Sequence, residues 1–244
     1  MPQSCLAESL GRFAELTDTE RAALKAIEGG DRHYRRGTVI RAERQAGGEM
    51  VLVQRGWLYC SMLLEDGRRQ IIRLHFCGDL LGADSLVFAD APDSVTALTD
   101  AEVRVIDQAA FGRLFVDHPR LGALLFAMTQ TDRVALTDRL TSLGRSSAKG
   151  RLAALLLWIA ARLRRADPLH GYSFSLPLTQ EEIGDITGLT SVHVNRTMRV
   201  LGEEGLIERS GGMLHILKPD RLARIANHVE RHEKVDPGWL PAAR

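Results

Sequence analysis

Cysteine is scarce in this chain. Its three residues, Cys5, Cys60 and Cys77, are odd in number, far apart in sequence and form no C-x-x-C. That spacing argues against a zinc site and against a disulfide framework, and three thiols cannot supply the four thiolates of an iron–sulfur cluster. Reduced thiols are the expectation. Cys77, beside Gly78 in a turn, is a better candidate for a redox-sensing role than Cys60. Charge of one sign is missing as well: the net charge is +1, which excludes a globally basic protein and leaves any nucleic-acid binding to local placement of charge. From residue 146 onward there are 14 Lys/Arg against 11 Asp/Glu, and before it 18 against 20. No run approaches the ~20 apolar residues that span a bilayer. The opening MPQSCLAESLGRF has neither the basic flank nor the apolar centre of a signal peptide, so the expected location is the cytoplasm, with no membrane partner. Before the midpoint only His33, His75 and His118 occur, with no H-x-H pair. A metal-dependent enzyme on that part of the chain would need three or four clustered ligands, so neither a metal site nor catalysis is expected.

What is present is concentrated near the C-terminus, in residues 178–209, LTQEEIGDITGLTSVHVNRTMRVLGEEGLIER. Thr179 followed three positions on by Glu182 is a capping box that starts a helix. Gly188 ends it where a left-handed backbone is wanted, and Thr190 or Ser191 can cap a second helix. The second helix separates its faces. Val194, Met198 and Leu201 fall at i, i+4, i+7 and pack inward; Val192, Asn195, Arg196 and Arg199 fall on the opposite side. Arg can donate two hydrogen bonds to guanine and Asn can pair bidentately with adenine, so this stripe on a helix-turn-helix points to reading of the major groove. The expected DNA-facing set is Thr179, Gln180, Thr190, Ser191, Val192, His193, Asn195, Arg196 and Arg199. Two short apolar runs around Ser210-Gly211-Gly212 then make a β-hairpin, a wing that can touch phosphates through Arg209. Its other role is to cover the domain's core.

The 244 residues are long enough for two domains. Residues 38–41, 50–54, 57–63, 70–76, 95–98 and 103–106 are short β-prone runs separated by turn signals, which predicts a sandwich or barrel. After His118-Pro119 a long helix carries Leu121, Leu124, Leu125, Met128, Ala135, Leu136, Leu140 and Leu143 on one stripe. A small barrel cannot cover so long a stripe, so pairing with a second copy through Leu121, Leu125, Met128, Leu136, Leu140 and Leu143 is expected. Asp132 interrupts the seam. A hinge is expected around residues 144–150, then a helix over 151–165. At the end, Pro219 opens an amphipathic helix with Leu222, Ile225, Ala226 and Val229 on one side, followed by a frayed tail from 236.

The order of barrel, long helix and winged helix-turn-helix resembles the Crp/Fnr family of bacterial transcription regulators over roughly residues 10–218. The motifs that carry it are GDLLG (78–82), SVTALTDAEVRVID (94–107), KGRLAALLLWIA (149–160) and LTQEEIGDITGLTSVHVNRTM (178–198). The resemblance implies an α+β protein. Its parts are a cyclic-nucleotide-binding-like jelly-roll barrel with short N-terminal helices (1–118), a dimerisation helix and hinge (119–145), a winged helix-turn-helix (146–218) and a C-terminal helix and tail (219–244). It also implies a homodimer on a two-fold symmetric double-stranded DNA operator, in contact with RNA polymerase. The family's cyclic-nucleotide members hold ribose and phosphate with a Gly-Glu pair and an Arg-Ser pair. Here Gly82 is followed by Ala83 and Asp84, and Asp93 stands before Ser94 where Arg belongs. A carboxylate there repels a phosphate. The base-contacting Thr of the long helix corresponds to Leu136, with Thr137 beside it. Cyclic AMP is therefore not expected. The oxygen-sensing branch needs an N-terminal cysteine cluster, which Cys5 alone is not, and a haem ligand role for His75 is not expected either. Arg196 matches the family's guanine-reading Arg, Asn195 replaces a Ser or Gly, and Val192 replaces a Glu that accepts from cytosine. The half-site should accordingly differ from the family's best-known operators. The competing reading is a small-molecule or redox-sensing module whose helix-turn-helix makes protein contacts only.

Overall fold

Residues 50–53, Met-Val-Leu-Val, are apolar at consecutive positions because both faces of their strand are covered. In the computed structural model Met50 and Leu52 turn toward a helical cluster, while Val51 and Val53 turn between two sheets. The structure describes residues 4–166, 171–227 and 236–242, and these fall into two compact units, one of residues 4–62, 72–134 and 236–242 and the other of 63–71, 135–166 and 171–227.

The first unit is built on most of two four-stranded antiparallel sheets. One has the spatial order β1 (Glu28–Tyr34), β8 (Ala101–Ile106), β3 (Met50–Arg55), β6 (Leu80–Leu81); the other runs β2 (Val39–Arg41), β7 (Ser94–Ala97), β4 (Leu58–Leu63), β5 (Arg69–His75). Apart from the β4–β5 pair, which are neighbours in one sheet, successive strands switch between the two sheets along the chain, the jelly-roll arrangement. Two strands escape periodicity. β6 has two residues, and β1, EGGDRHY, is mostly exposed and carries no apolar alternation. β1 exists because β8 receives it: Asp31 faces Arg104 in the register, and the Arg104 guanidinium bonds Asp31 at 2.6 Å and Glu28 at 2.5 Å.

Helices α1 (Cys5–Gly11), α2 (Asp18–Ala26) and α3 (Gln108–Asp117) pack on the outer face of β3. Pro119 opens α4 (Pro119–Arg145), whose 27 residues reach about 40 Å at ~1.5 Å per residue. Only its first turns are buried: Leu121, Leu124 and Leu125 join Leu6, Leu10, Leu24 and Phe111 in one core, with Met128 packed at its edge. Further along, Leu136 and Leu140 are 40% and 72% exposed. Asp132 does not simply break a seam, for its carboxylate binds Arg73 of β5 at 2.6 Å.

The second unit centres on α5 (Ala148–Ala166). Its Leu152, Leu156 and Ile159 are fully buried. Around it lie β9 (Ser173–Ser175), α6 (Gln180–Thr187), α7 (Ser191–Glu203), the hairpin β10 (Ile207–Ser210) and β11 (Met213–Ile216), and α8 (Pro219–Ala226). β9 extends the hairpin to a three-stranded sheet.

Three expectations need correction. The break between α4 and α5 is only Ser146-Ser147, because Gly150 lies inside α5, where a Cβ would come within 3.1 Å of the Ile225 carbonyl oxygen. The C-terminal helix ends at Ala226, capped by Asn227 in a left-handed conformation (φ 48°); Val229, like His170, His228 and His232, lies outside the described residues. The tail from 236 is largely exposed but is held at two points rather than frayed throughout. Its contacts are Trp239 edge-on to Phe126 with centroids 6.2 Å apart and Leu240 against the first unit's core. Among the described residues no helix is long and apolar enough to cross a membrane.

Candidate nucleic-acid interface

The surface of α7 is set by how α6 and α7 are fastened. At the start of α6, Thr179 Oγ1 accepts from the Glu182 amide at 3.1 Å and the Glu182 carboxylate accepts from the Thr179 amide at 2.7 Å, closing both halves of the capping box. At its end Gly188 takes φ 65° and ψ 37°, a backbone costly to any residue with a Cβ. The last carbonyls do not go unanswered, since Arg151 of α5 donates to the Thr187 oxygen at 2.9 Å. The turn is tight: a Cβ at Gly184 would stand 2.4 Å from the Leu189 carbonyl oxygen. Of the two candidate caps for α7, Thr190 is the one used, accepting from the His193 amide at 3.3 Å.

With α7 so placed, Val194, Thr197, Met198 and Leu201 are buried. Thr197 is inside because its hydroxyl donates to the His193 carbonyl at 2.8 Å, a bond within the helix that the apolar spacing does not announce. Outward stand Thr179, Gln180, Thr190, Ser191, Val192, Asn195, Arg196 and Arg199, with His193 half-buried. Val192 is 78% exposed. Arg199 Nε lies 3.5 Å from Glu203 one turn on; Arg196 has no carboxylate partner among the described residues. Arg209 projects from the wing, opposite Leu214 in the hairpin register. The wing's sheet is anchored at its far edge by His215 Nδ1 and Ser173 Oγ, 2.8 Å apart. Lys149 at the start of α5 pairs with Glu204 at the end of α7 at 2.5 Å. The effect is an exposed edge of Asn and Arg on a helix whose position is fixed on every other side.

A second group touches this motif and was not legible in the sequence. Residues 63–71 belong to the second unit. There Arg69 Nη2 binds the Asp185 carboxylate at 2.7 Å, the Gln70 amide donates to the Asp185 carbonyl, and Arg139 donates to the Ile186 carbonyl at 2.8 Å. The partners are more than a hundred positions apart for Arg69 and Gln70, so no local pattern could reveal them.

The residues expected to line an effector pocket divide between the units. Gly82, Ala83, Asp84, Asp93 and Ser94 are in the first; Leu136 and Thr137 are in the second, both exposed. Asp84 and Asp93 are brought together by a residue that sequence reasoning missed. Arg41 of β2 binds Asp84 at 2.9 Å and Asp93 at 2.6 Å, its side chain only 8% exposed. Ser94 Oγ accepts from the Glu43 amide at 2.9 Å. Of the histidines on the strands of this unit, His33 lies 4.0 Å from Glu102 at the surface. His75 is buried, with Nε2 3.2 Å from Cys60 Sγ and Nδ1 3.6 Å from Asp79. Burial holds the His75 imidazole below its ordinary range and pushes the Cys60 thiol above its own. No cluster of three or more His, Cys, Asp or Glu placed to hold a metal ion occurs among the described residues.

Two family models match the chain. Residues 31–118 match the cyclic nucleotide-binding domain and residues 150–225 the Crp-like helix-turn-helix domain. The probable transcriptional regulator flp of Lacticaseibacillus casei is 30% identical over 93% of this chain and the whole of its own. The nitrogen fixation regulation protein FixK of Bradyrhizobium diazoefficiens is 31% identical over 80% of this chain and 81% of its own. The solved structure of FixK2 from Bradyrhizobium japonicum superposes with a TM-score of 0.73, at 27% identity, over 82% of this chain and 98% of that one. The chain belongs to the Crp/Fnr family of DNA-binding transcription regulators.

Proposed function

We propose that this regulator works in the cytoplasm as a homodimer, paired along the second half of α4, and sets two copies of α7 into successive major grooves of a two-fold symmetric operator about 34 Å apart, where it engages RNA polymerase. The observation that carries the reading is the exposed edge Val192, Asn195, Arg196 and Arg199 on α7, a helix capped by Thr190 and following the boxed start of α6. In this role Asn195 and Arg196 read base edges. Thr179, Gln180, Thr190, Ser191 and His193 sit where the ends of the two helices meet phosphates, and Arg209 does so from the wing. Val192 presents a methyl surface suited to the thymine 5-methyl group rather than a carboxylate suited to cytosine. The exposed Leu136 and Leu140, with Leu143 beside them, support pairing between copies.

The protein acts by binding alone, and its barrel does not take cyclic AMP. The residues present do not fit that ligand: Asp93 puts a negative charge where a cyclic phosphate needs a positive one, and Arg41, the nearest cation, is already held by two carboxylates. Selection of duplexes from a random pool tests the DNA reading. Enrichment of a palindrome whose preference departs from the common family half-site at the Val192-facing base pair is expected; recovery of the common half-site unchanged refutes the assignment of Val192. Leu136→Glu with Leu140→Glu should convert the particle in solution from dimer to monomer. A dimer that survives both refutes pairing through α4. Calorimetric titration with cyclic AMP should give no heat of binding, and saturable binding refutes the pocket reading.

A further inference from the structure

Two thiols 72 positions apart meet in the first unit, where Cys77 Sγ donates to Cys5 Sγ across 3.3 Å. Cys5 Sγ in turn lies 3.3 Å from Gln54 Oε1. Both cysteines are half-buried and within reach of small solutes, whereas Cys60 is buried. The meeting is built into the backbone. Gly78, next to Cys77, takes φ +85°, and a Cβ there would fall 2.2 Å from Ser9 Oγ and 3.0 Å from the Cys5 carbonyl oxygen. The turn after β5 thus presses directly on α1. Gln54 Nε2 is buried with no hydrogen-bond partner. Exchanging the two ends of that amide, which are alike in shape, would aim its N–H at the Cys5 sulfur. The two thiols also differ in acidity. The bond from Cys77 holds Cys5 below the usual thiol range, aided by Arg104 and opposed by burial, Glu8 and Glu28. The same bond, with burial, pushes Cys77 up.

We propose that Cys5 and Cys77 form a redox-active dithiol that peroxides oxidise to an intramolecular disulfide. Cys5, having released its proton to solvent, attacks a peroxide oxygen. A sulfur–oxygen bond forms, the oxygen–oxygen bond breaks, and the leaving hydroxide takes up a proton as water, with Cys5 left as the sulfenic acid. Cys77 then attacks the Cys5 sulfur; the sulfur–sulfur bond forms, the sulfur–oxygen bond breaks, and the thiol proton of Cys77 leaves with the hydroxide as a second water. Two thiols lose two electrons in all and one hydrogen peroxide becomes two waters; an external thiol reverses the change by exchange. The disulfide fastens α1, and α1 places Leu6 and Leu10 in the core that holds Leu121, Leu124 and Leu125 at the root of α4.

The test treats the reduced full-length protein with hydrogen peroxide, alkylates it with iodoacetamide under denaturing conditions, and maps the peptides. The expected result is three alkylated cysteines before oxidation and only Cys60 after it, with a linked Cys5–Cys77 peptide from a monomeric band on a non-reducing gel, restored by dithiothreitol. Cys60→Ser should oxidise as the unsubstituted chain does. Cys77→Ser should leave a dimedone-reactive sulfenic acid on Cys5. Retention of three alkylated cysteines, a link through Cys60, or a link between chains overturns the proposal. The peptide map of the unsubstituted chain decides the matter even if a substituted one fails to fold.

Discussion

Replacing Arg196 with alanine should weaken binding to the selected operator while leaving the fold untouched. Arg196 stands exposed on α7 without a carboxylate partner among the described residues, so its removal breaks no interaction the folded chain uses, and unfolding should shift by no more than about 0.5 kcal/mol. Against DNA the loss is larger. A bidentate guanidinium–guanine contact discriminates by roughly 1–3 kcal/mol, or about 5- to 150-fold per half-site. With two helices engaged on a symmetric site the losses add in free energy, to about 2–6 kcal/mol. Affinity for random duplex should fall far less, because only one charge per subunit is lost from the phosphate-facing set. Arg196→Lys keeps that charge without the fork and should retain random-duplex affinity while losing the base preference. Arg199→Ala should matter less than Arg196→Ala, since its guanidinium is shared with Glu203 at 3.5 Å. Fluorescence anisotropy on operator and scrambled duplexes at one fixed salt concentration reads all of this. Equal loss on both duplexes would mean that Arg196 meets phosphate, and no loss on either would remove it from the interface.

Three further outcomes follow from the geometry. Thr179→Ala removes both the hydroxyl acceptor and the reciprocal fit of Glu182, and should cost about 1 kcal/mol in urea unfolding; Thr179→Ser should recover most of it, and an alanine variant as stable as the parent refutes the capping argument. Arg41→Met leaves Asp84 and Asp93, each about a quarter exposed, as two close carboxylates without a cation. Breaking a buried pair costs ~3–5 kcal/mol, and partial exposure sets the expectation at the lower end, about 3 kcal/mol; Asp93→Asn should cost less because Asp84 still holds the guanidinium. His75 titrates below its ordinary range in the folded chain because it is buried beside Arg73, with Asp79 acting in the other direction. The unfolded imidazole, near pH ~6.5, therefore binds its proton first. Stability is fully present above that pH and falls by up to ~1.4 kcal/mol per unit as the pH drops below it, until the folded form also titrates. His75→Gln should flatten that slope in denaturation measured from pH 7 to 5; an unchanged slope would assign it to other groups.

The parts of this fold that were legible in the sequence are those whose cause is local. Thr179 with Glu182, Gly188, and the spacing of Val194, Met198 and Leu201 place α6 and α7 within a residue, because caps and helical faces are decided inside one or two turns. Pro119 marks the start of α4 for the same reason. What stayed hidden depends on distant partners. β1 has no strand-like composition and is held by Arg104, more than seventy positions away. The Arg41–Asp84–Asp93 group joins three segments; from sequence, Asp93 reads as an uncompensated negative charge. Cys5 and Cys77 look scattered until the turn at Gly78 lays one against the other. Trp239 and Leu240 look like a polar tail's strays until Phe126 and the core receive them.

Two of the substitutions that set this chain apart from the family pattern, at Val192 and Asp93, stand in different surroundings. Val192 in place of a carboxylate is 78% exposed; it can change without disturbing Val194 or Met198, which face the other way on the same helix. Asp93 in place of an arginine is different, because it lies against β2 and the chain has to supply a counter-charge. Arg41 does so from a neighbouring strand, with its side chain 8% exposed. An arginine returned to position 93 would therefore face the Arg41 guanidinium rather than an open cradle. Asp93→Arg alone should destabilise the barrel by like-charge repulsion, while the same change made with Arg41→Met should be tolerated better. If instead Asp93→Arg by itself leaves stability intact and confers cyclic AMP binding, then Arg41 does not close the site, and the carboxylate at position 93 is the whole of what keeps the cyclic phosphate out.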